Sequence, residues 1–509
     1  MGLAAYACHR TPTGNLPQLR KAAQGCRWHT AEMLSTIDTS IIIAYMIFMI
    51  AIGLYASRKQ DSIEDFFIAG GNVGTFSIAC LWLASWVGGA AIVGGTSKVY
   101  SLGISGGWYI ICMAIGCLLF GLFFAVRVKR WGKEKNLLTY PDLIESNYDG
   151  RTRIVATITT ALAFIGFAAG QLAAAGVILS ALLGWDYSLA LLAASGIIIL
   201  YTATGGFLAV TYTDWVQFTL LFVGIVFVGI PVAIANGGTW EALTTQLPDS
   251  HYDPIGWGLP TMLALVVSIS LSFFVAMDSY TRMFAAKNEQ VAYRGTLWAV
   301  LFLLPLAVGA VWLGMTAAIL YPEVENSQNI LTIMVLDIFP VGLKGLMLVG
   351  ILAALMSTAD ICILTAAANG SRDIYQRFIN PDVTQRKIFQ LSIGLSVIVG
   401  AAAAFMAWQM QDIVEILLVA FTINSAALFV PTIAIVVLKS PSKEAAFWSI
   451  TLSLTTVTGW YAASALELAP LFSIDPLWPG LFVSLAVFVL VDFLGSRTPA
   501  SGLSRSLED

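Results

Sequence analysis

LKGLMLVGILAALMSTADICILTAAA, residues 343–368, is apolar enough to lie in lipid, yet it carries Ser357, Thr358 and the ionisable Asp360 within four positions. About 20 apolar residues in line cross a bilayer as a helix, and runs of that kind recur from Ile41 to Leu494. The 509 residues are 58% hydrophobic and 11% charged, with a mean hydropathy of +0.82. A soluble chain carries about a quarter charged residues. Only helices and closed barrels satisfy their backbone in lipid, and the period-two alternation of a barrel is absent. The sequence therefore predicts an all-α polytopic membrane protein.

About thirteen spans follow from hydropathy, near residues 40–55, 76–100, 108–128, 155–183, 188–203, 215–235, 261–284, 296–321, 343–368, 388–408, 413–438, 447–466 and 477–494. Basic residues cluster after alternate spans: Arg58 and Lys59, then Arg127 to Arg153, Arg282 to Arg294, Arg372 to Lys387, Lys439 and Lys443, and Arg497 and Arg505. These loops share one side, with about twenty basic residues against Lys98 and Lys344 on the other, which predicts the N-terminus outside and the C-terminus inside. Residues 1–36 form a polar N-terminal tail whose four basic residues sit awkwardly with that orientation, so Met33 is the favoured start. Residues 37–495 form the transmembrane domain and 496–509 a cytoplasmic tail. The longest loop has room for a short surface helix but not for a catalytic domain. The location expected is the plasma membrane, as a multi-pass protein.

Several chemistries are disfavoured. His9, His29 and His251 all lie outside the spans, which disfavours a haem, a histidine-ligated metal or a histidine proton relay. Cys80, Cys112, Cys117 and Cys362 sit in apolar helices and read as packing thiols. No nucleophile–base constellation is borne on a helix, so no enzyme is expected.

In the opening stretch, Ala354, Ser357, Thr358 and Ile361 share one helix face by their i, i+3, i+4, i+7 spacing. Asp360 lies about 60° around from Ser357. Two hydroxyls and nearby carbonyls make an oxygen-rich patch for a hard cation. The alternative is hydroxyls bonded to their own i−4 carbonyls for packing. Asp360 argues for function, because a carboxylate in hydrocarbon is costly and these helices offer almost no basic partner.

TATGGFLAVTYTDWVQ, residues 202–217, reads as a break at Gly205-Gly206 with Asp214 in the first turn of the next span, as a cap or as a cation ligand. LASWVGGAAIVGGTS, residues 83–97, crowds small residues mid-span, either for close packing or because the helix is broken and its carbonyls line a site. SFFVAMDSYTRMF, residues 272–284, places Asp278 and Arg282 at i, i+4 as a helix-end ion pair. FTINSAALFVP, residues 421–431, puts Asn424 and Ser425 mid-span, to bind solute or to bridge helices.

Taken together the chain resembles the sodium:solute symporter family from about Ile37 to Leu494. GWDYSLALLAASGIIILYTATGGFLA, residues 184–209, is similar to the family's signature, and EDFFIAGGNVG, residues 64–74, to the segment before its broken helix. The resemblance implies a LeuT-like fold of two inverted five-helix repeats, about residues 76–235 and 261–438. It implies a sodium site of Ala84, Val87, Ala354, Ser357 and Thr358. Asp214 corresponds to the acid near a second cation site in some members. Where those members supply further hydroxyls this chain has Asp360 and Ile361, so Asp214 and Asp360 are expected to share a second Na⁺ or to bind a proton. The corresponding solute pocket is Trp86, Ala90, Ala91, Phe274, Asn424 and Ser425, small and mostly apolar. A small amino acid or monocarboxylate is expected, its carboxylate met by half-helix amides.

The function expected is sodium-coupled symport by alternating access. The alternatives are proton coupling through Asp360 and Asp214, or a solute sensor with a transporter-like domain. The expected partners are a small-molecule solute, Na⁺ and the lipid bilayer, with no nucleic acid. No cofactor is expected; Na⁺ is the coupling ion, with H⁺ as the alternative.

Overall fold

The computed structural model describes residues 34–57 and 71–497. The tail with its candidate start Met33, most of the EDFFIAGG segment and the last residues lie outside the described residues. The described chain is helical almost throughout.

Helix α1 (Thr36–Ser57) lies against the bundle. The second expected span is two pieces, α2 (Thr75–Trp86) and α3 (Gly89–Leu102), broken at Val87-Gly88. Then come α4 (Trp108–Phe123), the amphipathic α5 (Ala125–Lys135), the short α6 (Tyr140–Asn147) and α7 (Gly150–Leu183). Helix α6 lies in the longest inter-span loop, which has room for a short surface helix, but its Tyr140, Leu143 and Ile144 side chains are buried.

Helix α8 (Tyr187–Phe222) runs unbroken through Gly205-Gly206 and continues by a π-turn into Ile230–Ala235. The expected break is absent. Glycine costs a helix only about 1 kcal/mol, whereas backbone groups left unpaired at membrane depth cost several each. Asp214 is thus mid-helix, and the capping role considered for it falls away.

The second half opens with a feature the sequence did not announce. The span at 261–284 is also two pieces, α9 (Leu259–Ser272) and α10 (Met277–Ala285), parted by an irregular turn at 273–276. No glycine or proline marks it. The turn is closed by Val275 and Ala276 N–H donating to Ser272 O at 3.1 and 2.8 Å, after which Ala276 is extended. Then follow α11 (Glu289–Leu320), α12 (Leu343–Ala368), α13 (Gln385–Met410), α14 (Ile413–Val437), α15 (Lys443–Ala465) and α16 (Leu477–Arg497). Helix α12 continues as a π-helix over Asn369–Ile379.

Among the described residues nine helical stretches are long and apolar enough to cross a membrane, and four shorter apolar helices accompany them. Helices α7, α12 and α14 form the centre. The apolar window of α12 is 89% buried and that of α16 only 22%, which places α16 at the lipid-facing edge. Helix α7 packs on α8, α12 and α14, while α15 and α16 pair against α14. Asp38 on α1 bolts that helix to the start of α12, accepting hydrogen bonds from Gly342 and Gly345 N–H, each at 2.8 Å. The four cysteines of the spans are free and buried, as packing thiols should be.

Candidate ion and solute site

Where α2 ends, its last carbonyls lose their helical partners. The Ala91 N–H that would have reached Val87 O donates instead to Gly88 O at 2.9 Å. Ala84 O is met from the opposite helix. Thr358 Oγ1 donates to it at 2.7 Å and Ser357 Oγ at 3.2 Å. Both hydroxyls also reach back to Ala354 O at 3.0 Å. Two hydroxyls and two carbonyls therefore converge between α2 and α12. All four residues are buried.

Each hydroxyl has one proton for two carbonyls, so the hydroxyl lone pairs remain available. This is a neutral oxygen set of the kind a hard monovalent cation takes. Val87 stands at the break itself. Gly88 beside it faces the cluster so closely that an added Cβ would lie 2.3 Å from Thr358 Oγ1 and 2.8 Å from Gln171 Oε1.

One helical turn along α12, Asp360 is fully enclosed. Its Oδ1 is in hydrogen-bond contact with Thr202 Oγ1 of α8. Asp214, also on α8, is 0% exposed, and neither of its oxygens has a hydrogen-bond partner among the described residues. The two carboxylates lie near enough to act on each other's charge, and both act on Tyr45 of α1. Tyr45 OH accepts from Gln217 Nε2 at 3.2 Å. The acid pair of the sequence reading thus lies where α1, α8 and α12 meet.

On the other side of the break is a cavity. Trp86, Ala91 and Phe421 line it, together with Phe164, Phe167 and Tyr109. Its polar lining is Ser85, Gln171, Asp278 and Thr358. Trp86 stacks on Phe273 with centroids 3.6 Å apart, so the two helix breaks touch. Of the six expected solute residues, Trp86 and Ala91 face this cavity. Ala90 holds Gln171 through its N–H at 3.2 Å. Phe274 turns away to pack on Phe120, Phe124 and Phe429. Asn424 Nδ2 donates to Ser272 Oγ at 3.0 Å, tying α14 to the second break, and Ser425 Oγ donates to its own Phe421 O at 2.7 Å. The Asp278–Arg282 ion pair is present at 2.8 Å but deeply buried, with the guanidinium over the Trp82 ring.

Sequence reasoning missed Gln171, Tyr109 and Ser85. Gln171 did carry a signal, since it is the one strongly polar side chain in α7 between Ala161 and Leu179. Tyr109 carried none.

Charged side chains close both ends of the bundle. At the end with the basic loops, Arg153 contacts Asp142 at 2.9 Å, and also Glu145 and Asp373. Arg372 and Arg377 complete the network on Asp142 and Glu145. At the other end, Lys98 of α3 pairs with Asp412 before α14 at 2.9 Å. Burial works against charge on Asp142 and Glu145. Their arginine partners, and for Asp142 the Leu138 and Thr139 amides, outweigh it and hold both carboxyls below their ordinary values.

The chain is 23% identical to the high-affinity proline transporter of Bacillus subtilis (strain 168), over 91% of this chain and 98% of that one. It is 24% identical to the sodium/pantothenate symporter of Escherichia coli (strain K12), over 90% and 96%. Its fold is similar to that of a Na⁺-coupled sialic acid symporter in a substrate-bound outward-open state, with a TM-score of 0.76 at 18% identity over 90% of this chain and 98% of that one. A nucleobase-cation-symport-1 family transporter in a closed conformation gives a TM-score of 0.56 at 17% identity, over 84% and 95%. The fold is LeuT-like, and the chain is a multi-pass protein of the plasma membrane. With the sodium:solute symporter family matching residues 66–452, the chain belongs to that family.

Proposed function

We propose that this protein is a sodium-coupled secondary active symporter that imports a small organic solute, an amino acid or a monocarboxylate, by alternating access. The observation that carries this reading is the convergence of Ala84 O, Ala354 O, Ser357 Oγ and Thr358 Oγ1 at a helix break, beside a cavity that shares Thr358. Sodium bound there, with Val87 O as the fifth ligand, joins α2 to α12. Ion occupancy then sets the geometry of the cavity wall, which is the linkage a symporter requires. The driving force in this reading is the inward Na⁺ gradient, across a thirteen-span arrangement with the N-terminus outside.

A second reading has one specific support. Thr202 Oγ1 lies 2.8 Å from Ile198 O and also contacts Asp360 Oδ1. Its single proton serves one of them; if it goes to Ile198 O, the proton in the other contact belongs to Asp360. A protonated Asp360 is the state from which proton coupling through Asp360 and Asp214 would start.

Uptake of radiolabelled amino acids and carboxylates into proteoliposomes, with and without a Na⁺ gradient and at two pH values, separates the readings. Sodium coupling predicts Na⁺-dependent uptake that disappears in Ser357→Ala and Thr358→Ala. Uptake that ignores Na⁺, follows a pH gradient and is lost in Asp360→Asn would establish the proton reading instead.

A further inference from the structure

The cavity's polar inventory is one-sided. Trp86 Nε1 and Tyr109 OH are buried and have no hydrogen-bond partner among the described residues, and the same holds for Ser85 Oγ. Gln171 is 3% exposed. Its carboxamide orientation is fixed by chemistry, because the Ala90 N–H can only donate and so must face the amide oxygen. Among the described residues no hydrogen bond from the Gln171 NH₂ is present, and Gln171 lines the cavity. An indole N–H and an amide NH₂ are donors only. The one acidic side chain of the lining, Asp278, already has its counter-ion: Oδ2 pairs with Arg282 at 2.8 Å, while Oδ1 accepts from Ser279 N–H at 3.0 Å. A solute ammonium would meet no free anion there. A carboxylate, with two oxygens and about four lone pairs, would satisfy the orphaned donors.

We propose that the solute is a monocarboxylate without an ammonium group, and that Gln171, with Trp86 and Tyr109, receives its carboxylate. This rests on the reading of the chain as a symporter and sharpens it. The half-helix amide of Ala90 does not meet the solute, because Gln171 caps it and presents its own NH₂ instead. The apolar body of the solute lies on the ring wall, where Trp86 stacks on Phe421 with centroids at 5.8 Å and Phe167 meets Phe421 at 4.8 Å. The arrangement also couples the two sites. The distances from the Gly88 Cβ position bring Gln171 Oε1 and Thr358 Oγ1 within 5.1 Å of each other (2.3 + 2.8 Å). A cation at Thr358 therefore sits beside the receptor for the anion.

The test uses the purified full-length protein and matched pairs that differ by one ammonium: propionate and alanine, cyclopentanecarboxylate and proline, 3-phenylpropionate and phenylalanine. Binding is read as the shift in unfolding temperature in Na⁺ buffer. At least one carboxylate should bind more tightly than its amino-acid partner. Gln171→Glu keeps an oxygen for the Ala90 N–H but replaces the donor with an anion. It should weaken the carboxylate about tenfold or more while the Na⁺-induced shift measured without solute persists. Tyr109→Phe removes only an unpartnered hydroxyl. It should weaken binding several-fold with the solute-free unfolding temperature unchanged or raised.

Tighter binding of the amino-acid partners, or binding that Gln171→Glu leaves unchanged or improves, overturns the proposal. So does a Na⁺ shift with no carboxylate bound. Loss of the Na⁺ shift in the wild type would count against the symporter reading itself.

Discussion

Gly88 shows how much one missing methyl decides. Its backbone is ordinary, with φ −62° and ψ 169°, so no left-handed strain demands glycine. Space does, because a Cβ would enter the Thr358 hydroxyl and press on Gln171. Overpacking of this kind costs about 1–3 kcal/mol. Gly88→Ala is expected to lower the unfolding temperature modestly and to abolish the Na⁺-induced rise. Thr358→Val keeps the shape and removes one oxygen. It is expected to lower solute-free stability by about 1 kcal/mol, because Ala84 O loses its shorter hydrogen bond, and to weaken Na⁺ by about tenfold or more. Sodium titrations followed by thermal unfolding check both. An equal Na⁺ response in Thr358→Val and wild type would remove the hydroxyl from the ion site.

At the scale of elements, the charge network joins α6, α7 and the π-helical end of α12. Arg153 is its hub, buried against three carboxylates. Removing one partner of a buried ion pair leaves the others uncompensated, so Arg153→Ala is expected to cost about 3–5 kcal/mol. The pH dependence follows in sign. Asp142 and Glu145 have folded pKa values below their ordinary 3.8 and 4.5. Their contribution is therefore full above those ordinary values and is lost as pH falls through the folded ones. Unfolding temperature should drop below about pH 4, and Arg153→Gln should flatten that drop. An unchanged slope in the variant would show that other carboxylates govern the acid limb.

For the whole molecule, the orientation is open to a direct check. On a background with Cys8 and Cys26 replaced by Ser, the remaining four cysteines are buried. A membrane-impermeant thiol reagent applied to intact cells should label Asp249→Cys, in the acidic loop before α9. It should label Asn147→Cys, at the end of α6, only after permeabilisation. The reverse pattern would overturn the proposed topology.

The sequence by itself determined the class of the molecule, because hydropathy and the placement of basic residues report on the bilayer without reference to any contact. It also located Ser357, Thr358, Asp360 and the small-residue run at 83–97, since polar groups at lipid depth are conspicuous against apolar neighbours. Tertiary structure decided the rest. The second helix break at 273–276 has no glycine or proline and exists through its packing, where Phe273 stacks on Trp86. The Gly205-Gly206 pair resembles a break and is not one, because the helix keeps its backbone bonds. Phe274 and Asn424 are placed away from the cavity by their packing partners, while Gln171 and Tyr109 are brought to it. Hydropathy and periodicity record which residues are buried and on which helix face. They do not record which helix that face meets, and the solute site is made where the faces meet.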